Sequence, residues 1–259
     1  MIAVVQSFLI RALIINRIEP HSVTEPQRRL HLIEALSDIL WGCGNGSSAT
    51  ILCPFDLSEA RSARNMRPYV YYTKSSLKTG IAEQHFALLM AASGPGLAAF
   101  LFSCAYTRGV HWIQKSDMDY PQSTLIAEHG YCAQELVNLM VFGRACSNVF
   151  DGNKFVGQAR DGEAKLQGVP KRAMVGLLTL YEARNDWVEV GSYLKSPIHP
   201  VWIICAESHY SVLFAPHVAD TSDAAFRDGR PFDLYYFDML AQQREMYSSF
   251  HNIRMYVGV

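Results

Sequence analysis

The sequence predicts an α+β fold in which helices dominate the first half of the chain and a mostly antiparallel sheet fills the second. Apolar residues recur at helical spacing in segments such as IAVVQSFLIRALII and YCAQELVNLMVFGRA. From Met174 onward, short apolar runs rich in β-branched and aromatic residues alternate with turn residues. Strands that follow helices, rather than alternating with them, favour α+β over α/β. We expect one domain over residues 1–259.

Two helices are predicted at the N-terminus. Apolar spacing from Ile2 to Ile15 fits a buried helix that begins without a capping side chain. Ser22 and Glu25, three residues apart, match a capping box, and Pro26 suits the first turn of a second helix that ends at Gly42.

The next part of the chain mixes short strands with helices. The runs ATILCPF and RPYVYYTK read as strands, and residues 82–92 as a helix. The Gly94-Pro95-Gly96 break precedes another apolar element that continues to Tyr106. The helix in YCAQELVNLMVFGRA has a glycine near its end, as a C-cap requires.

The second half begins with an exposed, turn-rich excursion and continues as strands. The excursion comprises SNVFDGNKF and QARDGEAKLQGVPKRA. The predicted strands are VGLLTLYEA, VEVGSYL, PVWIICA, HYSVLF and PFDLYYFDML.

Composition excludes several classes of function. With 23 basic and 24 acidic residues, no global field attracts nucleic acid or an anionic membrane. The N-terminus lacks the basic region and cleavage pattern of a signal peptide, and the Gly-Pro-Gly break leaves both halves of the other long apolar segment too short to cross a bilayer. Phosphate-loop, dinucleotide and zinc motifs do not occur, so we expect neither cofactor nor metal.

Six cysteines are present without a C-x-x-C pair or the spacing of a secreted disulfide framework. They are Cys43, Cys53, Cys104, Cys132, Cys146 and Cys205. An intracellular setting, cytoplasmic or nuclear, is therefore expected.

His209 is a candidate catalytic residue because of its place in ICAESHYSVLF. The run VWIIC is apolar throughout, as in a strand covered on both faces, and a polar step, predicted to be bent, separates it from the next strand. His209 thus stands on a rigid strand beside a bend, where an imidazole can serve catalysis or cap a strand structurally. For one isolated histidine, the structural role has the higher prior.

Cys132 is the candidate nucleophile on spacing alone. It precedes a helix, and a helix N-terminus with a nearby imidazole lowers a thiol pKa. The alternative is a small buried side chain, the commoner state of unpaired cysteine.

Three long motifs resemble the MINDY family of deubiquitinases. They are AEHGYCAQELVNLMVFGRACSNVFDG, VGLLTLYEARNDWVEVGSYLKSPIHPVWIICAESHYSVLF and RPFDLYYFDMLAQQ, and the resemblance is weaker towards the N-terminus. It implies a papain-like cysteine peptidase that hydrolyses isopeptide bonds in polyubiquitin, with a preference for the lysine linkage that marks proteins for the proteasome. Polyubiquitin is then the expected partner.

The same resemblance assigns roles to individual residues. His209 matches the catalytic histidine, whereas the family's nucleophile lies in a Gly-Gly-Pro-Cys segment that would fall just before Met1, with an oxyanion-hole glutamine further upstream. This disfavours Cys132 and leaves two alternatives: a truncated sequence, or a nucleophile-free relative that binds polyubiquitin without cleaving it. Asp238 is a candidate to orient His209 from a neighbouring strand, or else a turn aspartate facing water. Glu207 is the other nearby carboxylate.

Overall fold

The computed structural model describes residues 2–20, 22–54, 66–91, 95–127, 130–157, 164–215, 234–238 and 248–250. Two compact units are present. Unit 1 comprises Met1–His31, Val149–Asn153 and Gly168–Val259, and unit 2 comprises Leu32–Asn148 and Lys154–Gln167. Helices and strands occur in both units, which confirms the α+β class. The single domain and the papain-like arrangement stay predictions.

The described elements are short outside the first two helices. The helices are α1 (Ile2–Ile15), α2 (Glu25–Cys43), α3 (Lys74–Gly80), α4 (Phe86–Leu89), α5 (Gly96–Arg108), α6 (Val110–Trp112), α7 (Gln134–Phe142), α8 (Leu180–Ala183) and α9 (Ser192–Lys195), with π-helical turns at Ile81–His85 and Ile113–Asp117. The strands are β1 (Ala49–Pro54), β2 (Met66–Tyr71), β3 (Asn153–Val156), β4 (Ala164–Gln167), β5 (Gly176–Thr179), β6 (Val201–Ala206), β7 (His209–Phe214), β8 (Leu234–Phe237) and β9 (Ser248–Phe250).

Unit 1 is built around a five-stranded sheet in the order β5-β6-β7-β8-β9. Strand β5 runs parallel to β6, and the other neighbours are antiparallel, as the sequence predicts for most of the sheet. Helix α1 packs against β6 and β7, and its side chains from Phe8 to Ile14 are all buried. Strand β6 has no polar face: its residues are apolar throughout, and four of the six are buried.

Two predicted strands of unit 1 are wrong in part. VGLLTLYEA is a strand only as far as Thr179, whose hydroxyl accepts a hydrogen bond from Tyr181 N and caps α8. VEVGSYL ends in helix α9 instead of forming a strand. The Asp151 carboxylate accepts bonds from the Ser192 and Tyr193 amides at 2.8 and 2.9 Å, and so satisfies donors that a helix start leaves unpaired.

The second helix has a different cap from the predicted one. It begins at Glu25, so Thr24 is the capping residue, and Gln27 Oε1 accepts bonds from Thr24 N at 3.0 Å and from the Thr24 hydroxyl at 2.8 Å. Ser22 instead donates to the Glu19 carbonyl. The capping box is therefore Thr24 with Gln27, two residues after the predicted pair.

Unit 2 contains a β1-β2 hairpin whose outer β1 edge is covered by α5. Leu52 N donates to Ser103 Oγ at 2.8 Å, and Thr50 N donates to Thr107 Oγ1 at 2.9 Å. Ser103 and Thr107 are one helical turn apart, so their hydroxyls take the place of a third strand.

The helix predicted over residues 82–92, the glycine at the end of α7 and the exposure of the excursion are confirmed in outline. The helix predicted over residues 82–92 begins earlier, at Lys74, and is interrupted by a π-helical turn. Gly143 ends α7 with φ 80°, and a Cβ there would lie 2.2 Å from the Gly42 carbonyl oxygen, so glycine is required. The excursion is exposed at β3 and half-exposed at β4, but it forms a two-stranded sheet that was not predicted. Ala92, Phe55 and both ends of PFDLYYFDML lie outside the described residues.

A buried ion cluster fixes the segment between α6 and α7. The Asp117 side chain is fully buried and accepts two bonds from Arg108, from Nε and Nη2, each at 2.7 Å. Arg144 Nε donates to the same carboxylate at 3.2 Å, as does Ala145 N. The hydrogen bonds that Arg108 donates to the Asp117 carboxylate raise the pKa of Arg108, so this guanidinium remains charged.

Acid should destabilise the chain through His199. Burial, with a smaller contribution from the charge of Arg11, lowers the pKa of His199 to about 4, whereas an unfolded histidine titrates near 6.5. The folded state therefore binds fewer protons, and stability present above pH 6.5 is lost as the pH falls towards 4, by up to roughly 3 kcal/mol before solvent screening of the half-buried ring reduces it.

The measurement is urea unfolding of the wild type and of His199→Gln between pH 7.5 and 4.5. The variant should lose less stability over this range, because its side chain does not titrate. Parallel stability curves for the two proteins would contradict the prediction.

Candidate active site

His209 is positioned by a tight hairpin between β6 and β7. Ala206 pairs with His209, and only Glu207 and Ser208 connect the strands. Glu207 adopts φ 59°, the left-handed conformation that tight two-residue hairpins use at their first loop position. The predicted bend before His209 is thus a hairpin turn, and His209 is the first residue of β7.

Strand β8 brings a carboxylate to the end of the sheet at which His209 lies. Phe237 pairs with Val212, so Asp238 follows β8 beside the start of β7. His209 Nε2 lies 2.8 Å from Asp238 Oδ2, a hydrogen-bond distance. The two side chains are 32% and 16% exposed, so the pair is shielded while the imidazole stays accessible. Asp238 is therefore the His209 partner, and not a turn aspartate facing water.

This pairing defines what the imidazole can do. An Asp238 carboxylate can accept a hydrogen bond from the Nε2–H group, which selects the tautomer whose Nδ1 is able to accept a proton from a thiol. A carboxylate in this position can also stabilise an imidazolium. Tyr236 Oη, 3.5 Å from Asp238 Oδ2, makes a long contact to the same oxygen.

The Glu207 side chain pairs with Arg184 and not with His209. Its Oε1 accepts a hydrogen bond from Arg184 Nη1 at 3.2 Å, and both side chains are more than half exposed. The competing assignment of Glu207 as the residue that orients His209 is not supported by this geometry.

The cysteines are poorly suited to attack a carbonyl. Five of the six are buried, and Cys132 is half-buried. Burial raises the pKa of Cys132, whereas a nucleophilic thiol needs a lowered pKa. Cys132 also lies before the helix, which begins at Gln134, and forms an isolated bridge with Ile126.

A thiol–imidazole pair occurs in unit 2 and was missed by the sequence reasoning. Cys53 Sγ is 3.1 Å from His85 Nδ1, and Tyr71 Oη is 2.7 Å from His85 Nε2. Burial raises the pKa of Cys53 to about 11, raises the pKa of Tyr71 and lowers the pKa of His85. All three groups are neutral at pH 7, so we interpret the cluster as a structural one. Alternate tyrosines in YVYY were the only sequence signal for it.

Metal-binding clusters and membrane-spanning helices are both absent from the described part of the chain. There, no group of three or more His, Cys, Asp or Glu side chains could hold a metal ion. Among the same residues, no helix combines the length and apolar character needed to span a bilayer.

An imidazole that contacts a carboxylate from the end of the adjacent strand occurs in hydrolases in which a histidine transfers protons. The family described as "Deubiquitinating enzyme MINDY-3/4, conserved domain" matches residues 1–251. The chain therefore belongs to the MINDY-3/4 family of deubiquitinating enzymes, which confirms the resemblance found in the sequence.

Individual relatives agree with this assignment. The chain is 35% identical over 256 residues to the probable ubiquitin carboxyl-terminal hydrolase MINDY-4 of Xenopus tropicalis, covering 94% of this chain and 34% of that protein. It is 32% identical over 229 residues to the Homo sapiens MINDY-4, covering 86% and 30%. It is 32% identical over 251 residues to the ubiquitin carboxyl-terminal hydrolase MINDY-3 of Bos taurus, covering 84% and 55%.

The chain thus spans about a third of the length of the MINDY-4 relatives. No solved structure matches it.

Proposed function

We propose that this chain forms part of a thiol-dependent deubiquitinase that hydrolyses isopeptide bonds in polyubiquitin, with His209 as its catalytic histidine and Asp238 as the residue that orients it. The observation that carries the proposal is the 2.8 Å contact between His209 Nε2 and Asp238 Oδ2 at the hairpin end of the sheet. Family membership supports the reaction class, and the contact supports the residue roles.

The proposed reaction proceeds in two stages. A cysteine thiol gives its proton to His209 Nδ1, and the thiolate attacks the carbonyl carbon of the C-terminal glycine of ubiquitin. The tetrahedral intermediate collapses as His209 returns the proton to the departing lysine amine, which leaves a thioester. Water then attacks the thioester with His209 again as the base, and releases the ubiquitin carboxylate and the free thiol. Asp238 holds the imidazole orientation throughout.

The attacking thiol is proposed to come from outside these 259 residues. The five buried cysteines are at most 8% exposed, and burial raises the pKa values of Cys53 and Cys146 to about 11. By the family resemblance, the nucleophile belongs to a Gly-Gly-Pro-Cys segment that leads into α1. The lysine linkage that marks proteins for the proteasome is the proposed substrate.

The test is cleavage of linkage-defined ubiquitin tetramers by the full-length protein. We expect release of ubiquitin from the proteasome-marking linkage, complete inhibition after alkylation with iodoacetamide, and full activity in Cys132→Ala. Loss of activity in Cys132→Ala would instead assign the nucleophile to Cys132.

The second candidate function is polyubiquitin binding without cleavage. It is favoured by the burial of the cysteines in this chain, because a fold that lacks an accessible thiolate can still hold ubiquitin. Saturable binding of the tetramers by the full-length protein, with no cleavage of any linkage, would replace the enzymatic proposal by this one.

A further inference from the structure

Trp187 is the most exposed large apolar residue among the described ones. Its exposure is 104%, so its indole makes almost no contact with the rest of the chain. Its backbone has φ 49°, a left-handed conformation that is unfavourable for a side chain of this size. Tyr181, in the short helix α8 that precedes this loop, is 37% exposed. The loop therefore presents aromatic surface to solvent instead of burying it.

The loop that carries Trp187 is held at both of its ends. On the near side, Asp186 N donates to the Tyr181 carbonyl at 2.8 Å. On the far side, Val190 is buried and its amide donates to Glu182 Oε1 at 3.0 Å. Since both ends are hydrogen-bonded to the α8 turn, the indole is displayed from an anchored loop, which lowers the entropy lost on binding a partner.

This loop lies at the His209 end of the sheet. Thr179, the last residue of β5, pairs with Cys205 in the parallel β5-β6 ladder, and α8 follows directly. Arg184 Nη1 then reaches Glu207 Oε1 in the hairpin loop at 3.2 Å. Trp187 is three residues from Arg184, so the exposed indole and His209 lie at the same end of the sheet in unit 1.

The charge of the loop indicates what kind of ligand it suits. Residues 180–191 contain three acidic side chains, Glu182, Asp186 and Glu189, and one base, Arg184. Glu182 pairs with Lys195 at 2.9 Å and Arg184 pairs with Glu207 at 3.2 Å, so with these partners the region carries four acidic and two basic side chains. An acidic loop with an exposed indole complements an extended segment of basic and apolar residues. The C-terminal tail of ubiquitin, which alternates leucine and arginine before its final glycines, has this chemistry and must reach His209 for cleavage.

We propose that Trp187 is a binding residue for the C-terminal tail of ubiquitin, packing against its leucine and arginine side chains while the glycines extend towards His209. This inference rests on the proposed function for the identity of the ligand. Exposed tryptophans that become buried on binding are typical hot spots, so we expect Trp187→Ala to weaken ubiquitin binding by about tenfold or more.

The experiment is a double-mutant cycle that measures binding and does not depend on cleavage. Titrations compare full-length wild type, Trp187→Ala and Trp187→Phe with intact ubiquitin and with ubiquitin lacking its last six residues. Trp112→Ala, which removes an indole 61% exposed on unit 2, is the matched control. Thermal unfolding should be unchanged in Trp187→Ala, because the removed side chain is fully exposed to solvent.

The inference predicts that tail removal and Trp187→Ala each weaken binding, that the two losses do not add, and that Trp187→Phe and Trp112→Ala bind almost as wild type. Additive losses, or equal binding by Trp187→Ala and wild type, would overturn it. Cleavage is scored separately. A non-additive cycle in a protein that cleaves nothing removes only the enzymatic proposal, and additive losses in an active enzyme remove only the role of Trp187.

Discussion

His209→Ala is expected to lower kcat for polyubiquitin cleavage by about 10³-fold, the middle of the range for loss of a general acid–base group. Without the imidazole, the thiol must ionise without an adjacent base and the lysine amine must leave without an adjacent acid. KM should change much less, because the proposed role of His209 is proton transfer and not ubiquitin binding.

Asp238→Asn separates the role of the carboxylate from that of the imidazole. An amide oxygen can still accept a hydrogen bond from Nε2–H, so the ring can keep its orientation. The negative charge that would stabilise an imidazolium is lost. We expect a smaller decrease in kcat, about 10²-fold. The order of the two effects tests the geometry, because the proposed role of Asp238 depends on its contact of 2.8 Å with His209.

The measurement is steady-state kinetics of the full-length protein on a linkage-defined ubiquitin dimer. His111→Ala is the control, since this exposed histidine lies on α6 in the other unit and should leave kinetics unchanged. If His209→Ala retains more than a tenth of the wild-type kcat but unfolds at lower temperature, the imidazole is a structural strand cap, the alternative that the isolated sequence motif favoured.

The sequence predicted the place of His209 in the fold more firmly than that of Asp238, for a physical reason. The hairpin end of β7 is encoded locally, by an apolar run, a polar step and a strand with period two. The position of Asp238 beside His209 depends on which strand pairs with β7 and in what register. Residue periodicity specifies neither the partner strand nor the register. The Val212–Phe237 pairing supplies both, and a one-residue slip would turn the Asp238 side chain to the opposite face.

The misassigned elements of unit 1 have a similar cause. VEVGSYL has the composition of a strand, but the Asp151 carboxylate, 41 residues before Ser192, caps the helix that forms there. A tertiary contact of this kind overrides local propensity. The Cys53, His85 and Tyr71 cluster was missed for the same reason, since its members come from a helical turn and both strands of a hairpin.

Asp117→Ala is expected to lower the free energy of unfolding by about 3–5 kcal/mol, the usual cost of removing one partner from a buried ion pair. Asp117 is fully buried and receives two hydrogen bonds from Arg108 and one from Arg144. Its removal leaves cationic side chains without their acceptor in a poorly solvated site, and the Ala145 amide also loses a bond of 3.2 Å. Because domains are stable by only about 5–15 kcal/mol, unit 2 should become marginal.

Urea unfolding with the linear extrapolation gives the required free energies. Glu34→Gln is the matched control: it weakens the partly exposed pair with Lys78 in the same unit, and exposed pairs contribute less than about 1 kcal/mol. The cause is tested by Asp117→Ala combined with Arg108→Met, which removes a stranded cation and should recover part of the loss. A decrease below about 1 kcal/mol for Asp117→Ala would show that the cluster stabilises unit 2 no more than a surface ion pair does. No recovery in the double variant would show that the stranded Arg108 guanidinium is not the cause of the loss.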